Sequence, residues 1–406
     1  MKAKVDSFKG TLTLLLLSPF IGFLKPVFVS LVDQQAQFGV YSLAIAYSVW
    51  FSYLFNSGAY EGLLKRYTLL LEQKNNTEIL ELESKVSSLW LLALSVSALL
   101  SALTVLGTGF YFICSSFLLA LATASFNIIS AKLRVTGKVF LISLVQFFRL
   151  SMSLGLTFIL LSYTDLGLGA ILFLDALSLC LISIIIFLGT ATLGFCNKQF
   201  FKLYLEISAM AINLTYVSGL RSFCLLMERQ SAGFLFDEKT FSQYSQILLL
   251  FQAAIVGFGV LPQIWQQHIM FWTINNGLKK ALGYQIGFIV CFLAAWAAVW
   301  IIVHNYFPEH PSTAHMVTIL FVGAAGICYG ASFIDSILLG VKSNKGLIQV
   351  YLFTIFFGFS VLFLFIFNIE IWILEYQALF LLLLSILIFV FPSLYALRQS
   401  NKLKPN

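Results

Sequence analysis

An all-α polytopic membrane protein, with twelve transmembrane helices in two six-helix lobes, is the fold this 406-residue sequence predicts. Three observations carry the prediction. Twelve apolar stretches divide the chain, each close to the ~20 residues that cross a bilayer core. The Lys and Arg residues between them cluster on alternate links, as basic residues do when they stay cytoplasmic. The composition is 60% hydrophobic and only 10% charged, where a soluble chain carries about 25% charged residues.

In order, the apolar stretches place spans at 8–31, 38–60, 86–106, 110–129, 139–161 and 169–191. A second set follows at 207–235, 245–264, 281–303, 316–339, 346–367 and 378–397. The natural division is an N-lobe over 1–195 and a C-lobe over 196–406. With twelve spans both termini lie on one side, and nineteen of the 24 Lys and Arg residues share that side. Lys239 is on the other, and Lys25, Arg149, Arg221 and Arg229 fall inside spans. Both termini are therefore expected in the cytoplasm. The net charge of +7 is dispersed over short links and forms no clustered basic face, so it reads as a topology signal and no nucleic-acid partner is expected.

Lys2, Lys4 and Lys9, before and at the very start of the first span, imitate a signal peptide. The apolar run is too long for one, and no small-residue cleavage pattern follows, so the span is expected to be retained. Cys114, Cys180, Cys224, Cys291 and Cys328 lie in spans and Cys196 in a cytoplasmic link, which gives no disulfide framework and no CxxC metal spacing.

Six spans followed by six invites a search for an internal repeat. A shift of 203 residues lays Phe38, Tyr41 and Ser42 over Phe241, Tyr244 and Ser245, each set opening the second span of its half. In each half the link after that span is the longest cytoplasmic one, 61–85 and 265–280. The first, with Leu63, Leu64, Tyr67, Leu70 and Leu71 beside Lys65 and Arg66, has the pattern of an interfacial amphipathic helix, as has the second with Trp265, Ile269 and Trp272. Membrane anchoring is the simplest role for both. Trp90, Trp300, Trp372 and Tyr376 stand at span ends, where aromatic rings meet headgroups.

Seven ionisable residues fall within the spans: Lys25, Arg149, Asp175, Arg221, Glu228, Arg229 and Asp335. Each costs about 2.5–3.5 kcal/mol or more in hydrocarbon, so each should face protein or a wet cavity. Arg149 and Arg221 are mid-span, where snorkelling is hardest. The repeat shift sets Lys25 opposite Glu228, and two facing lobes would then line a shared cavity with cations. Arg221 and Glu228 are two helical turns apart, sharing with Ser218 a face expected to be wet. Four cations against three anions favour an anionic substrate bound by Lys25, Arg149, Arg221 and Arg229, since guanidinium forks match phosphate oxygens. Asp175 and Glu228 are left for ion coupling or charge pairing, the pairs considered being Lys25 with Asp175 and Glu228 with Arg229.

Phe38-Gly39-Val40-Tyr41-Ser42-Leu43-Ala44, Glu228-Arg229, Gln243-Tyr244-Ser245 and Pro262, set in a twelve-span layout, make the chain resemble the Wzx-type O-antigen and polysaccharide flippases of the MOP (MATE-like) exporter superfamily. The family pattern commonly has Asp-Arg where this chain has Glu228-Arg229, and Gly where it has Gln243. The resemblance implies a MOP-like fold in the bacterial inner membrane. It implies alternating access for an undecaprenyl-pyrophosphate-linked oligosaccharide, an O-antigen or capsule repeat unit of lipopolysaccharide biosynthesis, through a cationic cavity. It further implies H+ or Na+ as coupling ion and a monomer working beside polysaccharide assembly proteins.

Two other classes compete. A MATE-type multidrug or cation antiporter would favour acidic interior residues, whereas this interior is net positive. A membrane polysaccharide polymerase needs a large external loop, and the longest here, His304 to His315, offers no room for a catalytic domain. His304, Glu309, His310 and His315 in that loop match no zinc spacing. No Walker-type phosphate loop occurs. No catalytic residue, metal or cofactor is expected. Gly323, Gly326 and Gly330 are expected to permit close helix contact.

Overall fold

In the computed structural model the chain is described over residues 20–31, 38–56, 58–72, 111–135, 139–163, 168–190, 199–258, 278–306, 315–330, 347–366 and 374–402, with isolated positions 14, 17, 18 and 332. Among the described residues all regular structure is helical. The helices are α1 (Phe20–Leu31), α2 (Phe38–Asn56), α3 (Ala59–Glu72), α4 (Tyr111–Val135), α5 (Val139–Tyr163), α6 (Leu168–Thr190), α7 (Gln199–Leu235), α8 (Glu238–Phe258), α9 (Leu278–Tyr306), α10 (Met316–Gly330), α11 (Leu347–Ile366) and α12 (Leu374–Lys402). Every expected span except 86–106, which lies outside the described residues, overlaps one of these helices over its described part, and α3 occupies the start of the first long link. Asp335, Pro262 and the aromatic residues of link 265–277 also lie outside the described residues.

Four described stretches are long and apolar enough to cross a membrane by length and composition: Phe38–Asn56, Phe140–Ser162, Lys279–Ile302 and Leu374–Ala396. Shorter apolar helices include Ser115–Ile128, Ala170–Ile185 and Ile348–Ser360. Their outward faces carry Phe148, Phe158, Ile185, Val290 and Phe356, all exposed in the protein by itself. That distribution suits lipid as solvent.

The chain forms two compact units. Residues 1–28 and 40–219 make one, and residues 29–39 and 220–406 the other. In the first, α4 packs along α6 and α3, and α5 leans on α6. Here α3 does more than float at an interface. Ala59, Leu63, Tyr67 and Leu70 are buried with Ile128 and Ala131 of α4 and Ile207 of α7. Gly58 turns the chain from α2 into α3 with φ 85°, a left-handed conformation that glycine adopts without strain. One turn on, a Cβ at Gly62 would stand 2.2 Å from the Ile207 carbonyl oxygen.

In the second unit α10 is the central contact, packed on α8, α9 and α12. The three α10 glycines do what their spacing suggested: a Cβ would meet the Trp296 ring at 2.4 Å from Gly323, Ala254 at 2.7 Å from Gly326 and the Ala254 carbonyl at 2.8 Å from Gly330. Small residues let helix backbones approach where lipid offers no hydrophobic drive. Trp296 and Trp300 donate indole N–H bonds to the carbonyls of Leu320 and Met316, at 3.1 and 3.0 Å. Trp300, read from the sequence as a headgroup anchor, thus also ties α9 to α10.

Candidate functional site

In the first unit the sequence-predicted charges Lys25, Arg149 and Asp175 come together. Lys25, on α1 and only 6% exposed, forms an ion pair with Asp175 of α6 and donates to Ser153 Oγ of α5 at 3.2 Å. Ser153 in turn donates to Asp175. Three helices are pinned by a closed triangle in which the ammonium and carboxylate each have a second partner, as a buried pair requires. Pro26 follows Lys25 inside α1, so the Gly22 carbonyl one turn earlier lacks its usual helical donor.

Arg149 stands four residues before Ser153 on α5 and therefore on the same face, one turn away. It lies in the electrostatic range of both Asp175 and Lys25. Its Nε has no hydrogen-bond partner. Tyr41, fully buried, also lies in the field of Asp175. Two cations thus share one carboxylate, and the pairing of Lys25 with Asp175 is the alternative the structure adopts.

The second unit repeats the arrangement with different chemistry. Glu228, 1% exposed on α7, accepts hydrogen bonds from Tyr244 of α8 at 2.5 Å and Gln377 of α12 at 3.0 Å. Gln377 Nε2 also reaches the Glu228 backbone carbonyl at 2.7 Å and Ser231 Oγ at 2.8 Å. Arg229 is within electrostatic range of Glu228 and Tyr244, but the carboxylate's hydrogen bonds come from the two neutral side chains. Arg221, two turns earlier, lays its guanidinium 4.2 Å from the ring centroid of Tyr329 on α10. Tyr329 in turn contacts the Phe251 ring of α8.

This corrects the expectation of a wet face on α7. Arg221 is 7% exposed and Glu228 less, because the Tyr329 ring covers the guanidinium and Tyr244 and Gln377 bond the carboxylate. The residues set equivalent by the repeat behave alike: Phe38, Tyr41 and Ser42 are buried, and so are Phe241, Tyr244 and Ser245. Gly39 is held to glycine by Phe241, whose ring a Cβ would meet at 2.5 Å.

Several polar partners escaped the sequence reading. Ser153, Ser231 and Gln377 are uncharged, and only ionisable groups were screened for burial cost. The i, i+4 spacing of Arg149 and Ser153 was the available signal. Glu61, at the start of the link whose pattern is that of an interfacial amphipathic helix, is buried on α3 and accepts from Thr215 of α7 at 2.8 Å and from Asn56 at 3.4 Å. Among the described residues no group of His, Cys, Asp and Glu could hold a metal ion.

The fold these helices build is that of the MATE transporters of the MOP superfamily. The structure resembles the eukaryotic MATE transporter AtDTX14 with a TM-score of 0.64 over 98% of each chain at 13% identity. It resembles an inward-facing multidrug resistance MATE transporter of the MOP superfamily with a TM-score of 0.60 at 12% identity, covering 98% of this chain and 96% of that one. A MOP superfamily transporter from Pyrococcus furiosus, described as having a binding pocket of reversed polarity that suggests a different function, matches with a TM-score of 0.56 at 12% identity over 98% and 97% of the two chains. No family model and no curated protein matches the sequence. The apolar helices and this fold make the chain a multi-pass membrane protein.

Proposed function

We propose that the protein is a flippase of the Wzx type, moving an undecaprenyl-pyrophosphate-linked oligosaccharide across the bacterial inner membrane by alternating access through a cationic cavity. The observation that carries this reading is the charge balance of the buried clusters. In the first unit Lys25 and Arg149 both lie in the field of one carboxylate, Asp175, which Lys25 already pairs. An excess cation in low dielectric is costly unless an anion arrives to meet it. A pyrophosphate has the charge and the oxygen geometry for that, and transport needs no bond broken on the substrate.

In this reading Arg149 receives phosphate oxygens, with Lys25, Arg221 and Arg229 adding positive potential. Glu228, ringed by Tyr244 and Gln377, is the candidate for binding the coupling H+ or Na+, and Asp175 holds Lys25 in place. Both termini are cytoplasmic, on the count of basic links.

A MATE-type drug antiporter is the second reading, favoured by solved neighbours that are themselves multidrug transporters. The reversed pocket polarity of the Pyrococcus furiosus transporter supports the idea that cargo charge varies on this fold. The test is to substitute Arg149 and Arg221 separately by Ala and by Lys in cells and to measure surface polysaccharide at matched protein level. Loss with Ala and partial recovery with Lys is expected. Full polysaccharide in both Ala variants, with drug efflux that depends on Glu228, would replace this reading by the antiporter.

A further inference from the structure

Away from both charge clusters, the outward side of α9 carries a groove of about 560 Å³, within the range of small-molecule sites. Its rotation is fixed from behind: Ala281, Leu282 and Ile289 are buried, and Gln285 bonds Ser332 at 3.5 Å. The floor is made by absence. Gly283 and Gly287 present no Cβ, and nothing lies within 4 Å of where either would stand. Tyr284, 51% exposed, forms one wall. At one end Phe292 packs at a tilt against Phe258 of α8 with centroids 4.4 Å apart, and Cys291 beside it is exposed. The other end is closed by a single charge, Lys280, next to Lys279 at the start of the helix.

The dimensions and the charge match one occupant. The eleven residue steps from Lys280 to Cys291 rise about 16 Å, the depth of one leaflet in a hydrocarbon core of about 30 Å. An apolar slot one leaflet long, headed by an ammonium on the basic side of the membrane, complements an acyl chain with an anionic phosphate head. We propose that this groove is a binding site for an anionic phospholipid of the cytoplasmic leaflet, its phosphate on Lys280 and one acyl chain lying over Gly283 and Gly287. The site rests on the membrane orientation given above and not on the identity of the cargo.

The test uses the purified full-length protein in detergent, titrated with dioleoyl-phosphatidylglycerol or dioleoyl-phosphatidylcholine, with bound lipid counted by native mass spectrometry. Wild type should retain phosphatidylglycerol preferentially. Lys280→Gln should lower that preference about fivefold, the effect of one basic residue near an anionic surface, and Lys280→Arg should keep it. Gly287→Leu fills open space without touching the core and should reduce retention of both lipids. Lys239→Gln, the same charge change at the start of α8, should leave retention unaltered. Unchanged preference in Lys280→Gln, equal loss in Lys239→Gln, or full retention in Gly287→Leu would overturn the site. Displacement of phosphatidylglycerol by undecaprenyl phosphate at lower concentration would overturn the occupant. Retention is read without transport, so failure of the flippase reading would not imitate any of these results.

Discussion

Replacing Asp175 by Asn is the sharpest structural perturbation open to this protein, because it removes the carboxylate from a cluster that holds two cations. Lys25 is 6% exposed and its partner's side chain 16%, so solvent screens the pair little. Removing one partner of a buried pair costs about 3–5 kcal/mol, mostly from the charge left behind. The Ser153 hydroxyl can still donate to the Asn oxygen, which places the expected loss near the lower end, about 3 kcal/mol. The assay is a double-mutant cycle over Asp175→Asn, Lys25→Met and the pair, with reversible unfolding followed in mixed micelles. Removing both charges should recover about 2 kcal/mol or more relative to the sum of the single changes, since neither ion is then stranded. A loss below about 0.5 kcal/mol for Asp175→Asn, or strict additivity of the two single changes, would refute the argument that this pair is dry and closed.

Three further outcomes follow from the same geometry. Tyr244→Phe removes a buried donor to Glu228 and should cost about 1–3 kcal/mol in the same unfolding assay, whereas Tyr395→Phe, on a side chain outside the cluster, serves as the comparison and should cost less. Gly326→Leu should destabilise strongly and reduce the level of folded protein on size-exclusion chromatography, because its Cβ would already meet Ala254 at 2.7 Å and the Phe251 backbone at 3.0 Å; Gly155→Ala, with nothing within 4 Å, should be neutral or stabilising by up to about 1 kcal/mol. Gln377→Leu removes one of the two donors to the Glu228 carboxylate and leaves Tyr244 in place, so it should cost about 1–3 kcal/mol in the same unfolding assay and, if Glu228 binds the coupling ion, change the dependence of transport on a proton or sodium gradient.

The sequence made the helices legible because lipid imposes one rule on every span: an apolar run long enough to cross with its backbone bonds satisfied internally. Span boundaries such as 139–161 and 169–191 therefore recur in α5 and α6 nearly residue for residue. The positions of Lys25, Arg149, Arg221 and Glu228 were legible for the same reason, as costly exceptions to that rule. What surrounds them was not. Periodicity says which residues share a helix face, but not which neighbour that face meets, so Tyr329 beneath Arg221 and Gln377 on Glu228 had no signal in the chain. The face of α7 expected to be wet is packed because uncharged side chains on α8, α10 and α12 cover Arg221 and bond Glu228. Glu61 shows the converse: a charged residue in a link read as an interfacial helix is buried once Gly62 lets α3 close on Ile207.

Flipping by the reconstituted protein tests the central claim most directly. Liposomes containing the protein and a pyrophosphate-linked oligosaccharide lipid would be probed with a membrane-impermeant reagent that modifies exposed sugar. Wild type should render the second half of the lipid-linked sugar accessible, Arg149→Ala should lose most of that rate, and Arg149→Lys should recover part of it. Equal rates for wild type and Arg149→Ala would contradict the account that buried cations receive the cargo's phosphates.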